Sequence, residues 1–86
     1  MNSLDYLNYI RKLPCSVCGQ QAEPHHLEAI GMGMNRKKPT PRHYSAIPLC
    51  REHHTEIHWN RQKFEEKYRF NSWKEAFKLV RDEICR

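Results

Sequence analysis

No stretch of this 86-residue chain is apolar for long enough to cross a bilayer, which excludes a membrane partner of the spanning kind. Only 38% of the residues are apolar on a broad count, too few for a large hydrophobic core, so a domain this small needs a staple. Nor is a secretory leader expected, since Asn, Asp, Tyr, Arg and Lys interrupt the apolar positions between Met1 and Leu13. The expected location is therefore the cytoplasm, where thiols serve as metal ligands more often than as disulfide partners. With no internal repeat and no second domain, residues 1–86 read as one unit, its core at about 14–61 with helical flanks at 2–13 and 62–86.

What the chain does have is a split set of metal-binding side chains. Cys15 and Cys18 form one pair with a two-residue gap, and Cys50 and His53 form another. Tetrahedral zinc fixes four such groups however far apart they lie in the chain, so these four are the expected ligands of a structural Zn2+. His25, His54 and His58 remain as a second imidazole cluster, with His26 beside it. Four residues separate His54 from His58, which puts both on one helical face. Cys85 has no partner at ligand spacing and reads as an ordinary thiol.

The remaining pattern places these groups on elements. Leu4, Leu7 and Ile10, with Tyr6 and Tyr9 nearby, have the spacing of a short amphipathic helix that starts at Asn2-Ser3 and ends before Pro14. Cys15 to Gly19 reads as a tight knuckle, Glu23 to Ile30 as an extended segment, and Tyr44 to Leu49 as a strand before Cys50 opens a helix. Gly31 to His43 contains two glycines, two prolines and the cations Arg36, Lys37, Lys38 and Arg42 without an acidic residue, the composition of a mobile basic loop. A break is expected near Phe70. Asn71-Ser72, with Glu75 three residues after Ser72, has the form of a capping box, opening a final helix whose Trp73, Ala76, Phe77, Val80 and Ile84 make an apolar stripe.

The segments CSVC (Cys15 to Cys18), HH (His25 and His26) and IPLCREHHTEIH (Ile47 to His58) resemble, in order, the HNH or ββα-metal nucleases, most closely the small phage and prophage type. The resemblance implies an α+β fold: a zinc-stapled ββα-metal domain with an N-terminal helix and a C-terminal helical extension. It implies a metal-dependent endonuclease hydrolysing DNA phosphodiester bonds to 5′ phosphate and 3′ hydroxyl ends, with one catalytic divalent ion (Mg2+, Mn2+, Ni2+ or Zn2+). By the same resemblance His25, His54 and His58 hold that ion and His26 is the general base, a role that suits an imidazole. One position departs: the family's middle Asn, which braces the segment carrying the base, falls at Ser45. That residue could substitute through a shorter hydroxyl hydrogen bond, and His43 only under a shifted alignment.

Fifteen Lys and Arg against ten Asp and Glu give a formal charge of +5, which favours a polyanionic partner. DNA is the partner expected, contacted by Arg36, Lys37, Lys38, Arg42 and Arg61. A second copy of the chain, or a phage or host replication–recombination protein, is the other partner class. Two competing readings stand beside the nuclease: a zinc-containing nucleic-acid-binding module without catalysis, and a zinc domain that binds protein.

Overall fold

The computed structural model describes residues 2–31 and 37–85. Among these the chain runs through α1 (Ser3–Arg11), β1 (Glu23–His26), a 3-10 helix (Pro41–Ser45), β2 (Ala46–Leu49), α2 (Arg51–Trp59), α3 (Arg61–Tyr68) and α4 (Ser72–Ile84). The result is a small α+β domain with a two-stranded antiparallel sheet. None of its described helices is long and apolar enough to cross a membrane.

Local chemistry sets the element boundaries. Asn2 caps α1 in a capping box: its side chain accepts from the Asp5 amide at 2.9 Å, and the Asp5 carboxylate accepts from the Asn2 amide at 3.3 Å. Thr40 caps the 3-10 helix through the Arg42 amide, with Pro41 supplying a preset φ. Part of the expected basic loop is therefore ordered helix, and the strand begins only at Ala46. A break not expected from the sequence falls at Asn60, which ends α2 and whose side chain caps α3 through the Lys63 amide at 3.0 Å. The expected break near Phe70 is present, α3 closing as Arg69 turns left-handed at φ 51°.

The sheet pairs Glu23 with Leu49, Pro24 with Pro48, His25 with Ile47 and His26 with Ala46. Facing prolines are tolerated because no ladder N–H is asked of them: the backbone at Pro48 faces away from β1, and its carbonyl accepts from the Ser16 amide at 2.9 Å. β2 is buried along its whole length, packed by α1, α2 and α4, which accounts for its unbroken apolar sequence. Tyr6, Leu7 and Ile10 of α1, Ile47 and Leu49 of β2, Ile57 of α2, Phe64 of α3, and Ala76 and Leu79 of α4 form the core.

α4 corrects one expectation. Its cap is Asn71, which accepts from the Lys74 amide at 2.9 Å, so Ser72 is already inside the helix and fully buried. The buried stripe is Ser72, Ala76 and Leu79, whereas Trp73, Phe77 and Ile84 are 45%, 67% and 76% exposed. Small side chains let α4 sit close to β2 and the 3-10 helix, and that proximity fixes its rotation. Phe64→Ala is accordingly expected to cost about 3–5 kcal/mol. Phe77→Ala should stay within about 0.5 kcal/mol. Urea unfolding of the two zinc-loaded variants reads the difference directly.

Candidate functional site

The knuckle begins where Gly19, at φ 80°, allows its amide to reach the Cys15 carbonyl at 2.9 Å while the Cys15 amide reaches Gln20 at 2.7 Å. This folds Cys15 and Cys18 towards Cys50, which sits at the N-terminus of α2, and His53 one turn further on. The four ligand atoms lie within 4.8 Å of one another. Cys18 Sγ is 3.7 Å from Cys50 Sγ, Cys15 Sγ is 3.7 Å from His53 Nδ1, and Cys50 Sγ is 3.1 Å from His53 Nδ1. Tetrahedral zinc with metal–sulfur bonds of ~2.3 Å requires sulfurs roughly 3.8 Å apart, so the four residues fit the ion.

Electrostatics point the same way. Burial alone would raise the Cys15 thiol, yet the backbone amides of Cys50, Cys18 and Val17 bring it down to about 6, into the range where the thiolate is available as a ligand. α3 closes over the centre: the His53 ring lies 5.1 Å from Tyr68 and 6.3 Å from Phe64. Tyr68 Oη donates to Glu56 at 2.6 Å and Lys67 Nζ pairs with the same carboxylate at 2.9 Å, tying α3 back to α2. Cys15, Cys18, Cys50 and His53 can thus hold a metal such as zinc.

A second cluster lies where β1 crosses α2. His25, His54 and His58 offer nitrogens within 4.8 Å of one another, and their ring centroids are 4.8–4.9 Å apart. Burial, with the neighbouring His54, His58, His26 and Arg61 charges, pushes His25 down to about 3; burial also lowers His54. Both rings are therefore neutral at ordinary pH, the form a metal binds. The buried Nδ1 of His25 has no hydrogen-bond partner among the described residues. An orphaned imidazole nitrogen inside a ring of imidazoles fits a cation better than a hydrophobic core.

Glu23 adds a feature that ligand spacing did not reveal. Its Oε1 accepts from His54 Nδ1 at 2.8 Å while its Oε2 pairs with Arg51 at 3.0 Å, which leaves His54 Nε2 as the nitrogen available to an ion. The signal was present in the strand period, since Glu23 and His25 are two residues apart and share a face of β1.

His26, on the opposite side of β1, turns towards the 3-10 helix and meets His43, Nε2 to Nδ1, at 2.9 Å. His25, His26, His54 and His58 nonetheless border one cleft of about 240 Å3, completed by Pro24, Ala29, Ile30 and Gly31. Ser45 does not reach the His26 ring. Its hydroxyl donates to the Arg42 carbonyl at 2.7 Å and accepts from the Glu28 amide at 3.0 Å, bracing the chain that leaves His26.

Of the expected cationic residues, Lys37 and Lys38 are exposed, and Arg61 stands at the start of α3 near His25. The Arg42 guanidinium donates to the Ala29 carbonyl at 2.8 Å and faces Glu28 at 3.9 Å, so part of its charge is engaged in holding the same segment. Arg36 lies outside the described residues.

A family model described as "Protein of unknown function (DUF968)" matches residues 1–80. The chain belongs to this family. Within reach of the DUF968 chain is the Escherichia coli (strain K12) protein described as "Uncharacterized protein YdfU", 39% identical over 64 residues. That match covers 73% of this chain but 18% of the relative, so the chain spans less than a fifth of the curated protein it matches. No solved structure matches.

These findings correct the HNH membership read from the sequence: the family found over residues 1–80 is DUF968, whose description carries no activity. The physical reason is that short Cys and His spacings report what a tetrahedral ion requires of its ligands, and unrelated chains meet that requirement in the same way.

Proposed function

We propose that this chain is a metal-dependent endonuclease that hydrolyses phosphodiester bonds of DNA. The observation that carries the reading is one cleft bordered by three clustered imidazoles and by a fourth, His26, that is held by a hydrogen bond outside the cluster. His25, His54 and His58 are the residues that would hold a catalytic Mg2+, Mn2+, Ni2+ or Zn2+. When bound, such an ion offsets the negative charge that grows on the phosphate and the departing oxygen.

His26 is the general base. It accepts a proton from water as the water oxygen bonds to phosphorus and the bond from phosphorus to the departing sugar oxygen breaks. Glu23 holds His54 in one tautomer, and Arg51 holds the Glu23 carboxylate in place. Arg61 supplies positive charge near His25, the exposed Lys37 and Lys38 add to the basic surface, and the formal charge of +5 favours approach of a polyanion.

The test is conversion of supercoiled plasmid to nicked or linear form by purified zinc-loaded protein in Mg2+, Mn2+, Ni2+ or Zn2+. Wild-type protein is expected to turn over with at least one of these ions, and His26→Ala to lose roughly 100-fold or more in rate with its metal content unchanged. Undiminished cleavage by His26→Ala would remove His26 from the role of base. DNA binding without turnover in any of the four ions would instead support a non-catalytic zinc module, with the histidine cluster as added structure.

A further inference from the structure

His43 is fully buried in the 3-10 helix and makes two hydrogen bonds, one through each ring nitrogen. Its Nε2 lies 2.8 Å from the Lys38 carbonyl oxygen and its Nδ1 lies 2.9 Å from His26 Nε2. A carbonyl has no proton to give, so His43 Nε2 must be the donor in the first contact. Neither partner is an anion that would stabilise a second proton on a buried ring, and a neutral imidazole carries a single N–H. His43 Nδ1 can then only accept. His26 Nε2 must donate to it, and the lone pair of His26 is left on Nδ1.

From this chain of donors we infer that His43 is a positioning residue that fixes the tautomer of His26 and makes Nδ1 its basic atom. The inference rests on the proposed role of His26 and adds to it which nitrogen takes the proton and what holds it there. An imidazole without such a partner exchanges its proton between two nitrogens and can turn over about its ring axis, so the lone pair points the right way for only part of the time. The bond from His43 removes both freedoms. Three further contacts hold the two rings in register, because the 3-10 helix is fastened to the chain just beyond His26: Ser45 Oγ accepts from the Glu28 amide, Arg42 donates to the Ala29 carbonyl, and the Leu27 amide reaches the Ser45 carbonyl at 3.3 Å.

The relay also ends somewhere informative. Its terminal acceptor is the backbone of Lys38, in the same exposed segment as Lys37. The base and the cationic segment therefore lie on one hydrogen-bonded path. Bracing of the base thus comes from a buried ring, whereas Ser45 braces the backbone without touching the base.

The experiment uses three substitutions in the full zinc-loaded chain. His43→Asn sets an amide oxygen near the position of Nδ1 and keeps an acceptor for His26. His43→Gln keeps a donor reaching towards Lys38 but offers no acceptor at the nearer position, and His43→Leu offers neither. Long-range 1H–15N correlation spectra of the Mg2+ form are expected to show His26 protonated at Nε2 and bare at Nδ1 in the wild type and in His43→Asn, and a mixture of tautomers in His43→Leu. The turnover number should fall about 10–100-fold in His43→Leu and His43→Gln with KM changed less than about twofold, and recover in His43→Asn.

A wild-type His26 protonated at Nδ1 overturns the inference, and this reading needs no variant to fold. So does full turnover by His43→Leu when His26→Ala is inactive. If His26→Ala itself cleaves normally, the role of His26 as base fails instead, while the wild-type spectrum still decides the tautomer.

Discussion

Cys50→Ser is expected to abolish the folded state and to take the bound zinc with it. Cys50 contributes more than one ligand's share: its Sγ is 3.1 Å from His53 Nδ1 and 3.7 Å from Cys18 Sγ, and its carbonyl accepts the first hydrogen bond of α2, from His54, at 2.8 Å. Knuckle, sheet and helix therefore meet at one sulfur. A core of this size gives only a few kcal/mol of net stability, on the order of 3–5 at best. Structural zinc in small domains contributes about 10–16 kcal/mol of apparent binding free energy, so a weakened site removes more than the core can replace. Zinc stoichiometry and far-ultraviolet circular dichroism should collapse together, and excess chelator should do the same to the wild type. Cys85→Ser is the control, because that thiol is exposed at the end of α4 and its loss should change neither quantity. A Cys50→Ser protein that keeps its helical spectrum and its zinc would contradict the structural role assigned here.

The groups legible in the sequence were those whose spacing follows from an ion or a regular backbone. Cys15, Cys18, Cys50 and His53 could be paired because a two-residue gap is what a tetrahedral centre asks of a knuckle and of a helix start. His54 and His58 could be placed on one face from the helical period, and His25 and His26 on opposite sides from the strand period; the rings do divide between α2 and the 3-10 helix. What stayed hidden depends on tertiary choice. Both the expected 73/76/77/80/84 stripe and the observed 72/76/79 stripe of α4 have helical spacing, and hydrophobicity favours the first, of which Ala76 is buried and Val80 packs partly against the core. Close approach to β2 selects the second because Ser72 and Ala76 are small. Asn60 looked like one more polar residue of a continuous helix until its side chain was seen to cap α3. His43 lies 17 positions from His26, and only the fold brings the two rings together. Family descent was the least legible, since ligand spacing is shared by chains with no common origin.

His54→Ala is expected to separate the two centres. His54 projects from the middle of α2 and has no sulfur partner, so its loss leaves Cys15, Cys18, Cys50 and His53 as they are. Its Nδ1 bond to Glu23 is lost as well, but Glu23 is not stranded: Arg51 still pairs with Oε2 at 3.0 Å, and the carboxylate is partly open to water. The variant should therefore fold, with a thermal midpoint close to the wild type and one metal ion per chain where the wild type carries two under saturating divalent ion. Cleavage should fall by roughly 100-fold or more, the scale on which removal of one electrostatic contributor to a transition state acts. Elemental analysis after gel filtration counts the ions, and plasmid conversion measures the rate on the same sample. Two ions in His54→Ala would exclude the three-histidine centre even if activity were lost. One ion in both proteins would mean that the histidines are packed against each other without serving a metal. The prediction thus depends on an asymmetry visible in the fold: the sulfur centre ties the Cys15–Cys18 knuckle to the first turn of α2, whereas the imidazole centre sits on a sheet and helix already held together by Ile47, Leu49 and Ile57.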